Sequence, residues 1–129
     1  MARSVRARPS GTRNSSARYC PDEGDIVWRD FHPQKGREQK GRRPALVLSP
    51  RRYNELAQLC FACPITSRVK NYPFEVALPK AGAVSGGVIL ADQVKSLSWV
   101  ERRAELAGIA ARPVLLDVRA KIKALLQIS

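Results

Sequence analysis

Short runs of apolar residues, separated by polar turns, follow one another along most of the chain. Ile26–Phe31 alternates apolar and polar residues after its first two positions, which is typical of a half-buried β-strand. Ala45–Leu48 and Gln58–Ile65 are almost entirely apolar, which indicates buried, central strands. Tyr72–Leu78 alternates again, and Val88–Leu97 starts apolar and becomes polar midway. The pattern predicts a strand in each of these stretches.

The end of the chain carries one more predicted strand and then changes its period. Trp99 and Arg102–Ile109 indicate the strand. Across Pro113–Gln127 the apolar residues recur at helical spacing, which predicts a C-terminal amphipathic helix. Its apolar stripe consists of Val114, Leu115, Val118, Ile122, Leu125 and Leu126. Short strands followed by one late helix predict a mainly β, α+β fold, built as a small, strongly twisted antiparallel sheet or partly open barrel.

Composition divides the chain into a basic arm and one domain. Residues 1–18 contain five arginines and no acid, with Ser, Gly and Pro between them, which predicts a disordered arm. Residues 19–129 are enough for a single domain, and the 44% hydrophobic content of the chain supports a core. The composition leaves open whether the arm adds affinity for RNA or DNA.

The charge balance points to a polyanionic partner. The chain has 23 basic and 11 acidic side chains besides one histidine, which gives a formal net charge of +12. Nucleic acid is the first expectation, an anionic membrane surface the second, and a basic protein without such a partner the alternative. No apolar run reaches the roughly 18–20 residues that span a bilayer, and no signal peptide is visible. We therefore expect a cytoplasmic protein without a membrane partner.

The cysteines and the single histidine argue against a disulfide framework or a metal site. Cys60 and Cys63 have CxxC spacing but fall in a predicted strand, where residues three apart face opposite sides. We interpret them as buried structural thiols rather than as a redox or zinc pair. His32 is interpreted as a loop residue, with a general acid or base as the alternative. No metal and no cofactor are expected.

A polar loop rich in arginine leads directly into the second predicted strand. Its one acid, Glu38, lies among the basic residues Lys35, Arg37, Lys40, Arg42 and Arg43. The loop is long for a connection between two strands, which favours a functional role. Arginine stays protonated and can bind a phosphate through two parallel hydrogen bonds. The loop therefore predicts binding of a phosphodiester, with cleavage as a further possibility.

The side chains available for chemistry favour RNA as a substrate. The sequence offers no paired carboxylates in a hydrolase arrangement and no visible Ser-His-Asp constellation. RNA carries its own nucleophile, the 2′-OH, so that an enzyme need only orient it, stabilise the phosphorane and move protons. Such cleavage would leave a 2′,3′-cyclic phosphate and a 5′-OH, and it would not cut DNA. Aromatic residues near basic ones would stack the bases, with core packing as the alternative for each: Phe31, Tyr72 and Phe74, close to Arg68 and Lys70.

Several segments together resemble the MazF/PemK family of toxin endoribonucleases. They are DxGDIVWxDF at 22–31, GxEQxGxRPAxVLSP at 36–50, PxT at 64–66, YPFEV at 72–76 and ADQVKS at 91–96. The resemblance covers about residues 19 to 128. It implies a homodimeric, SH3-like/CcdB-like barrel that cleaves single-stranded RNA sequence-specifically and without metal. It also implies the toxin half of a type II toxin–antitoxin pair, inhibited by a cognate antitoxin whose tail covers the RNA site.

The resemblance also implies roles for individual residues. Arg43 matches the catalytic arginine, Thr66 the catalytic threonine and Glu38 a loop glutamate implicated in activity. The positions that match substrate-binding residues are Phe31, Gln39, Lys70, Tyr72, Asp92 and Gln93. It stays open whether Glu38 or Asp92 assists proton transfer. The chain departs from the family in its N-terminal arm, in its more basic loop and in the corner after Thr66, so we expect its base preference to differ from that of its relatives.

Two rival functions remain at this point. A gyrase-poison-like inhibitory protein on the same fold would need a protein-binding terminus rather than an arginine–threonine site. A basic RNA-binding module without catalysis would bind with steep salt dependence and leave RNA intact. An RNA cleavage assay in EDTA separates both from a metal-independent nuclease.

Overall fold

Seven antiparallel strands form one curled sheet in the computed structural model, which describes residues 19–30 and 42–129. The predicted basic arm lies outside these residues, and so does the predicted arginine-rich loop at 34–43 apart from Arg42 and Arg43. The prediction that these two arginines belong to the loop is wrong, because both pair with the neighbouring strand. The strands are β1 (Asp25–Asp30), β2 (Arg42–Val47), β3 (Cys60–Thr66), β4 (Glu75–Leu78), β5 (Gly87–Leu90), β6 (Lys95–Leu97) and β7 (Glu105–Ile109). The helices are α1 (Arg51–Ala57) and α2 (Arg112–Leu126). The predicted fold class, mainly β with a C-terminal helix, is confirmed.

The strand order is β4-β5-β3-β2-β1-β7, and β6 pairs with β3 beside this path. Both β5 and β6 pair with β3, β5 at Ile65 and Thr66, and β6 at Cys60–Ala62. A 3-10 turn at Ala91–Gln93 separates them. The prediction of one continuous strand at Val88–Leu97 is therefore wrong. The chain leaves the sheet where its apolar run gives way to Asp and Gln, and it rejoins β3 nearer the start of that strand.

Alternation along the strands divides the core into two clusters, one on each face of the central sheet. Ile26, Leu46 and Cys63 belong to one cluster, which α2 covers. The residues next to them in the sequence belong to the other cluster. That cluster contains Val27, Ala45, Val47 and Ala62, and in addition Cys60, Leu97 and Trp99. Cys60 and Cys63 thus lie on opposite faces, each fully buried, as predicted. Burial raises the pKa of both thiols to about 12.

The C-terminal helix uses only part of its apolar stripe in this core. Leu115 and Val118 are buried against the sheet. Leu125 and Leu126, near the end of the helix, are 44% and 61% exposed. The predicted helix is confirmed, but its C-terminal apolar residues face outward. Within the described residues, no helix has the length and the apolar character needed to cross a membrane.

Candidate active site

The predicted catalytic arginine lies at the start of β2. Arg43 is exposed, and it is directly opposite Arg29 of β1 in the antiparallel register. Because residues two apart share a face, Arg43 is on the same side of the sheet as Ala45 and Val47. That side holds the second core cluster. Arg43 is therefore an exposed cation at the rim of a buried apolar surface.

The predicted catalytic threonine ends the neighbouring strand. Thr66 is the last residue of β3, and its hydroxyl oxygen accepts a hydrogen bond from the backbone N–H of Arg68 at 3.1 Å. Ala45 of β2 pairs with Pro64 of β3. Two residues further along each strand, on the same face, come Arg43 and Thr66. Continued by two residues, this antiparallel register would set Arg43 opposite Thr66, although the two are distant in sequence.

A groove of about 290 Å³ opens beside Thr66. It is lined by Thr66, Arg68, Lys70, Tyr72, Glu75, Leu90, Asp92 and Gln93. The structure thus gathers five of the predicted site residues, Thr66, Lys70, Tyr72, Asp92 and Gln93, at one opening. A larger groove of about 700 Å³ lies near α2 and contains none of the predicted site residues. The smaller groove is therefore the candidate site.

Two carboxylates of the smaller groove, those of Glu75 and Asp92, differ in their hydrogen bonding. The Glu75 carboxylate accepts a hydrogen bond from the backbone N–H of Lys70 at 3.0 Å, which holds the corner in place. Tyr72 is 49% exposed and meets Phe74 edge-on, with ring centroids 5.7 Å apart. Oδ1 of Asp92 is buried and accepts no hydrogen bond from the described residues. A buried carboxylate oxygen of this kind favours a donor from a ligand.

A close backbone contact fixes the position of Thr66. Gly87, at the start of β5, has φ +123°, a conformation that L side chains rarely adopt. A Cβ atom at this position would lie 2.4 Å from the carbonyl oxygen of Thr66. Only a residue without a side chain allows β5 to approach the end of β3 so closely. Gly87 therefore sets where Thr66 lies.

The carboxylate of Asp30 binds two arginines, and one of them, Arg42, precedes Arg43 in β2. Asp30 accepts a hydrogen bond from Nη1 of Arg42 at 2.7 Å and a second from Nε of Arg103 at 2.7 Å. Arg42 also donates to Glu105 at 3.0 Å. The guanidinium of Arg103, and next that of Arg42, hold the pKa of Asp30 below its usual range. This network anchors the residue immediately before Arg43.

The remaining predicted residues have different outcomes. Phe31, Glu38 and Gln39 lie outside the described residues, so the structure does not bear on their roles. Arg68, Glu75 and Leu90 line the groove but were not among the predicted site residues. Arg68 follows Thr66 in a basic corner, which is the signal that could have identified it.

Among residues 19–30 and 42–129, no group of three or more His, Cys, Asp or Glu side chains is placed to hold a metal ion.

Comparisons with known proteins show the family of this chain. Residues 22–126 match the family model described as PemK-like, MazF-like toxin of type II toxin–antitoxin system. The endoribonuclease toxin MazF of Escherichia coli (strain K12) is 49% identical over 110 residues, which are 85% of this chain and 97% of that protein. A crystal structure of MazE–MazF from Deinococcus radiodurans (Form-II) has a TM-score of 0.77 and 51% identity, covering 87% of this chain and 100% of the other.

A second solved structure is similar to this chain over a comparable range. A crystal structure of MazF (Form-I) from Deinococcus radiodurans has a TM-score of 0.75 and 54% identity, and it covers 86% of this chain and 100% of the other. Sequence and fold therefore agree over most of the chain. The chain belongs to the PemK-like, MazF-like family of type II toxin–antitoxin toxins, and it is a MazF-like endoribonuclease toxin.

Proposed function

We propose that the chain cuts single-stranded RNA at a site built from Arg43 and Thr66. The observation that carries this proposal is their position on one face at neighbouring strand ends, with Thr66 lining a groove that Asp92 also lines. Arg43 would stabilise the negative charge that develops on the phosphorane. Thr66 would donate a hydrogen bond to a non-bridging phosphate oxygen and so position it. These roles need no group beyond the protein and the RNA.

Cleavage forms one bond and breaks one bond at the phosphorus of a single nucleotide linkage. The 2′-oxygen attacks its own 3′-phosphorus, and the bond from phosphorus to the 5′-oxygen of the next nucleotide breaks. A base takes the proton of the 2′-OH, and the departing 5′-oxygen receives a proton. Glu38 and Asp92 are the two candidates for the base, and Arg43 can donate toward the leaving oxygen. The products are a 2′,3′-cyclic phosphate and a 5′-OH.

Substrate binding would use the groove beside Thr66. Arg68 and Lys70 supply positive charge for neighbouring phosphates, and the exposed ring of Tyr72 supplies a stacking surface for a base. The unsatisfied Oδ1 of Asp92 favours an amino or hydroxyl donor of RNA. Gln93 can contribute both donors and acceptors to the edge of a base. Together these groups would read a short unpaired sequence.

The test is cleavage of a defined single-stranded RNA in EDTA, with sequencing of the new 5′ ends and analysis of their end groups. Arg43→Ala and Thr66→Ala should each lower the cleavage rate by about a hundredfold or more, as expected for loss of a group that stabilises transition-state charge. Arg112→Ala, an exposed arginine at the start of α2, is the control and should cleave normally. A cleavage rate for Arg43→Ala equal to that of the control would overturn the assignment, and so would intact RNA with the unaltered protein.

We further propose a homodimer that buries the larger groove. The groove has a volume of about 700 Å³ and is bordered by Phe61, Leu126 and Ile128, which are 43%, 61% and 56% exposed. Contiguous exposed apolar side chains of this kind favour association. Leu126→Lys should shift sedimentation velocity from dimer toward monomer. Leu56→Lys, the same change at an 86% exposed leucine of α1, should leave the dimer intact.

The antitoxin is proposed as an acidic segment that competes with RNA. The solved MazE–MazF structures are of similar proteins, and the net charge of +12 in this chain favours an anionic partner. A glutamate-rich peptide should slow RNA cleavage at low salt, and a glycine–serine peptide of the same length should not. Equal inhibition by both peptides would contradict the proposal. We propose that this competition takes place in the cytoplasm, where mRNA is available.

A further inference from the structure

Glu75 places a negative charge in the groove beside Thr66. It is half-buried at the start of β4 and lines the groove together with Arg68 and Lys70. A carboxylate repels the phosphate groups that these two basic residues would attract. The function proposed above gives Glu75 no part in binding RNA. Its place in the groove therefore needs an explanation other than phosphate binding.

Glu75 makes two hydrogen bonds to the corner that precedes β4. Its carboxylate oxygen Oε2 accepts the backbone N–H of Lys70 at 3.0 Å, and its own backbone N–H donates to the backbone oxygen of Tyr72 at 3.0 Å. Lys70 and the 49% exposed Tyr72 are thus both bonded to the same residue. The side chain of Glu75 therefore lies next to the corner that would bind a phosphate and stack a base.

Strand pairing fixes Glu75 against the opposite side of the groove as well. Glu75 pairs with Leu90, the last residue of β5. The backbone N–H of Ala91 donates to the backbone oxygen of Phe74 at 3.0 Å, which ties the start of β4 to the turn that carries Asp92. Because Glu75 is held from both sides, its carboxylate has a defined place in the groove.

The carboxylate of Glu75 has hydrogen-bonding capacity left after it has bound the corner. The bond from Lys70 uses Oε2, and Oε1 accepts no hydrogen bond from the residues that the structure describes. An ionised carboxylate has about four lone-pair sites on its two oxygens. A base stacked on the ring of Tyr72 would bring its edge close to this acceptor.

The four bases differ in what they offer a carboxylate. Adenine and cytosine carry an exocyclic amino group on the Watson–Crick edge, and guanine carries one beside its N1–H. Uracil has no amino group, and the two keto oxygens that flank its N3–H would face the negative charge. A carboxylate at this place therefore favours a base with an amino group over uracil.

We propose that Glu75 is a specificity-determining residue, whose carboxylate accepts a hydrogen bond from the exocyclic amino group of a base and so selects against uracil in the groove beside Thr66. The inference rests on the proposed function and deepens it by naming the bases that the groove takes. Oε2 holds the corner in place, and Oε1 reads the base.

The experiment measures the Kd of short single-stranded oligomers of 2′-deoxycytidine and of 2′-deoxyuridine by fluorescence anisotropy. These oligomers lack the 2′-OH, so they bind without being cut, and the two bases differ mainly in an amino or a keto group at C4. The proteins are the unaltered chain, Glu75→Gln and Glu75→Ala. Glu55→Gln is the matched control, because it removes the same charge at an exposed position of α1 that does not line the groove.

The unaltered chain and Glu55→Gln should bind the deoxycytidine oligomer about tenfold more tightly than the deoxyuridine oligomer. Glu75→Gln should bring the ratio of the two Kd values to about one or reverse it. Its amide oxygen keeps the bond from Lys70, while its NH2 group takes the place of Oε1 and favours a keto oxygen. Glu75→Ala should also lose the preference. A residue that only held the corner would change both Kd values by the same factor and leave their ratio unchanged.

Cleavage of a single-stranded RNA of random sequence gives a second measurement. Sequencing of the new 5′ ends should show uracil depleted at one position of the sites cut by the unaltered chain, and this depletion should vanish with Glu75→Gln while other positions keep their preference. Equal binding of both oligomers by the unaltered chain would overturn the proposal. So would a Kd ratio for Glu75→Gln that matches the control, and Glu75→Ala decides the question if the glutamine variant does not fold. If the unaltered chain leaves RNA intact, the proposed function fails, while the two Kd values still test whether Glu75 reads the base.

Discussion

Replacing Gly87 by alanine should disturb Thr66, the proposed catalytic threonine, through the backbone alone. The added Cβ would lie 2.4 Å from the carbonyl oxygen of Thr66 and 3.1 Å from its carbonyl carbon. Real Cβ atoms essentially never approach below 3.0 Å, so β5 and the end of β3 must separate by about 0.6 Å or more. The substitution removes no side chain of the site and changes only where Thr66 lies.

The cost has two parts. An L residue at φ +123° costs about 1–3 kcal/mol of backbone strain. The collision with Thr66 adds about 1–3 kcal/mol, as other overpacked sites do. For a domain of this size each kcal/mol lowers the Tm by about 4 °C, so we expect a fall of about 10–25 °C. The displacement of Thr66 should also lower kcat by about tenfold, since an error of about 1 Å in a reacting geometry costs about a hundredfold.

Gly86→Ala is a matched control for this substitution. Gly86 also has a left-handed backbone, with φ +111°, but a Cβ there would meet the carbonyl oxygen of Leu78 at 3.2 Å and would not approach Thr66. Both variants should lose stability, measured by thermal unfolding at one protein concentration. Only Gly87→Ala should cleave RNA slowly at 20 °C or so, where both remain folded. Equal kcat values for the two folded variants would refute the argument that Gly87 sets the position of Thr66.

Two further predictions concern ion pairs and thiols. Asp30→Asn removes the charged partner of Arg42 and Arg103 and should lower the free energy of unfolding by about 1–3 kcal/mol at pH 7. Because the pKa of Asp30 is lowered on folding, its contribution to stability is present above the unfolded pKa of about 3.9 and disappears as the pH falls through the folded pKa. If Asp30→Asn is less stable than the unaltered chain by the same free energy at the lowest pH as at pH 7, the prediction is contradicted. Cys60 and Cys63, with pKa values raised to about 12 by burial, should resist iodoacetamide at pH 8 or so in the native protein and react after unfolding, as mass spectrometry would show.

Local periodicity was sufficient for most of the fold. An apolar run predicted the strand around Val47, and alternation with period two predicted the strand around Val27, because alternation depends only on which side of a strand each residue occupies. The same rule placed Cys60 and Cys63 on opposite faces. Helical spacing predicted α2 to within one residue at each end. The motif segments indicated Arg43 and Thr66 through a resemblance, not through the physics of their surroundings.

Tertiary structure decided the features that depend on which strands and side chains lie next to each other in space. The break at Ala91–Gln93 follows from two short strands sharing β3, and a one-dimensional pattern does not record which strands pair. The groove joins residues from the end of β3, the corner before β4 and the turn after β5. Arg29 is 4% exposed, although an arginine in an alternating strand suggests a solvent-facing position. Periodicity determines the face of a strand to which a side chain belongs, whereas packing determines what lies against that face.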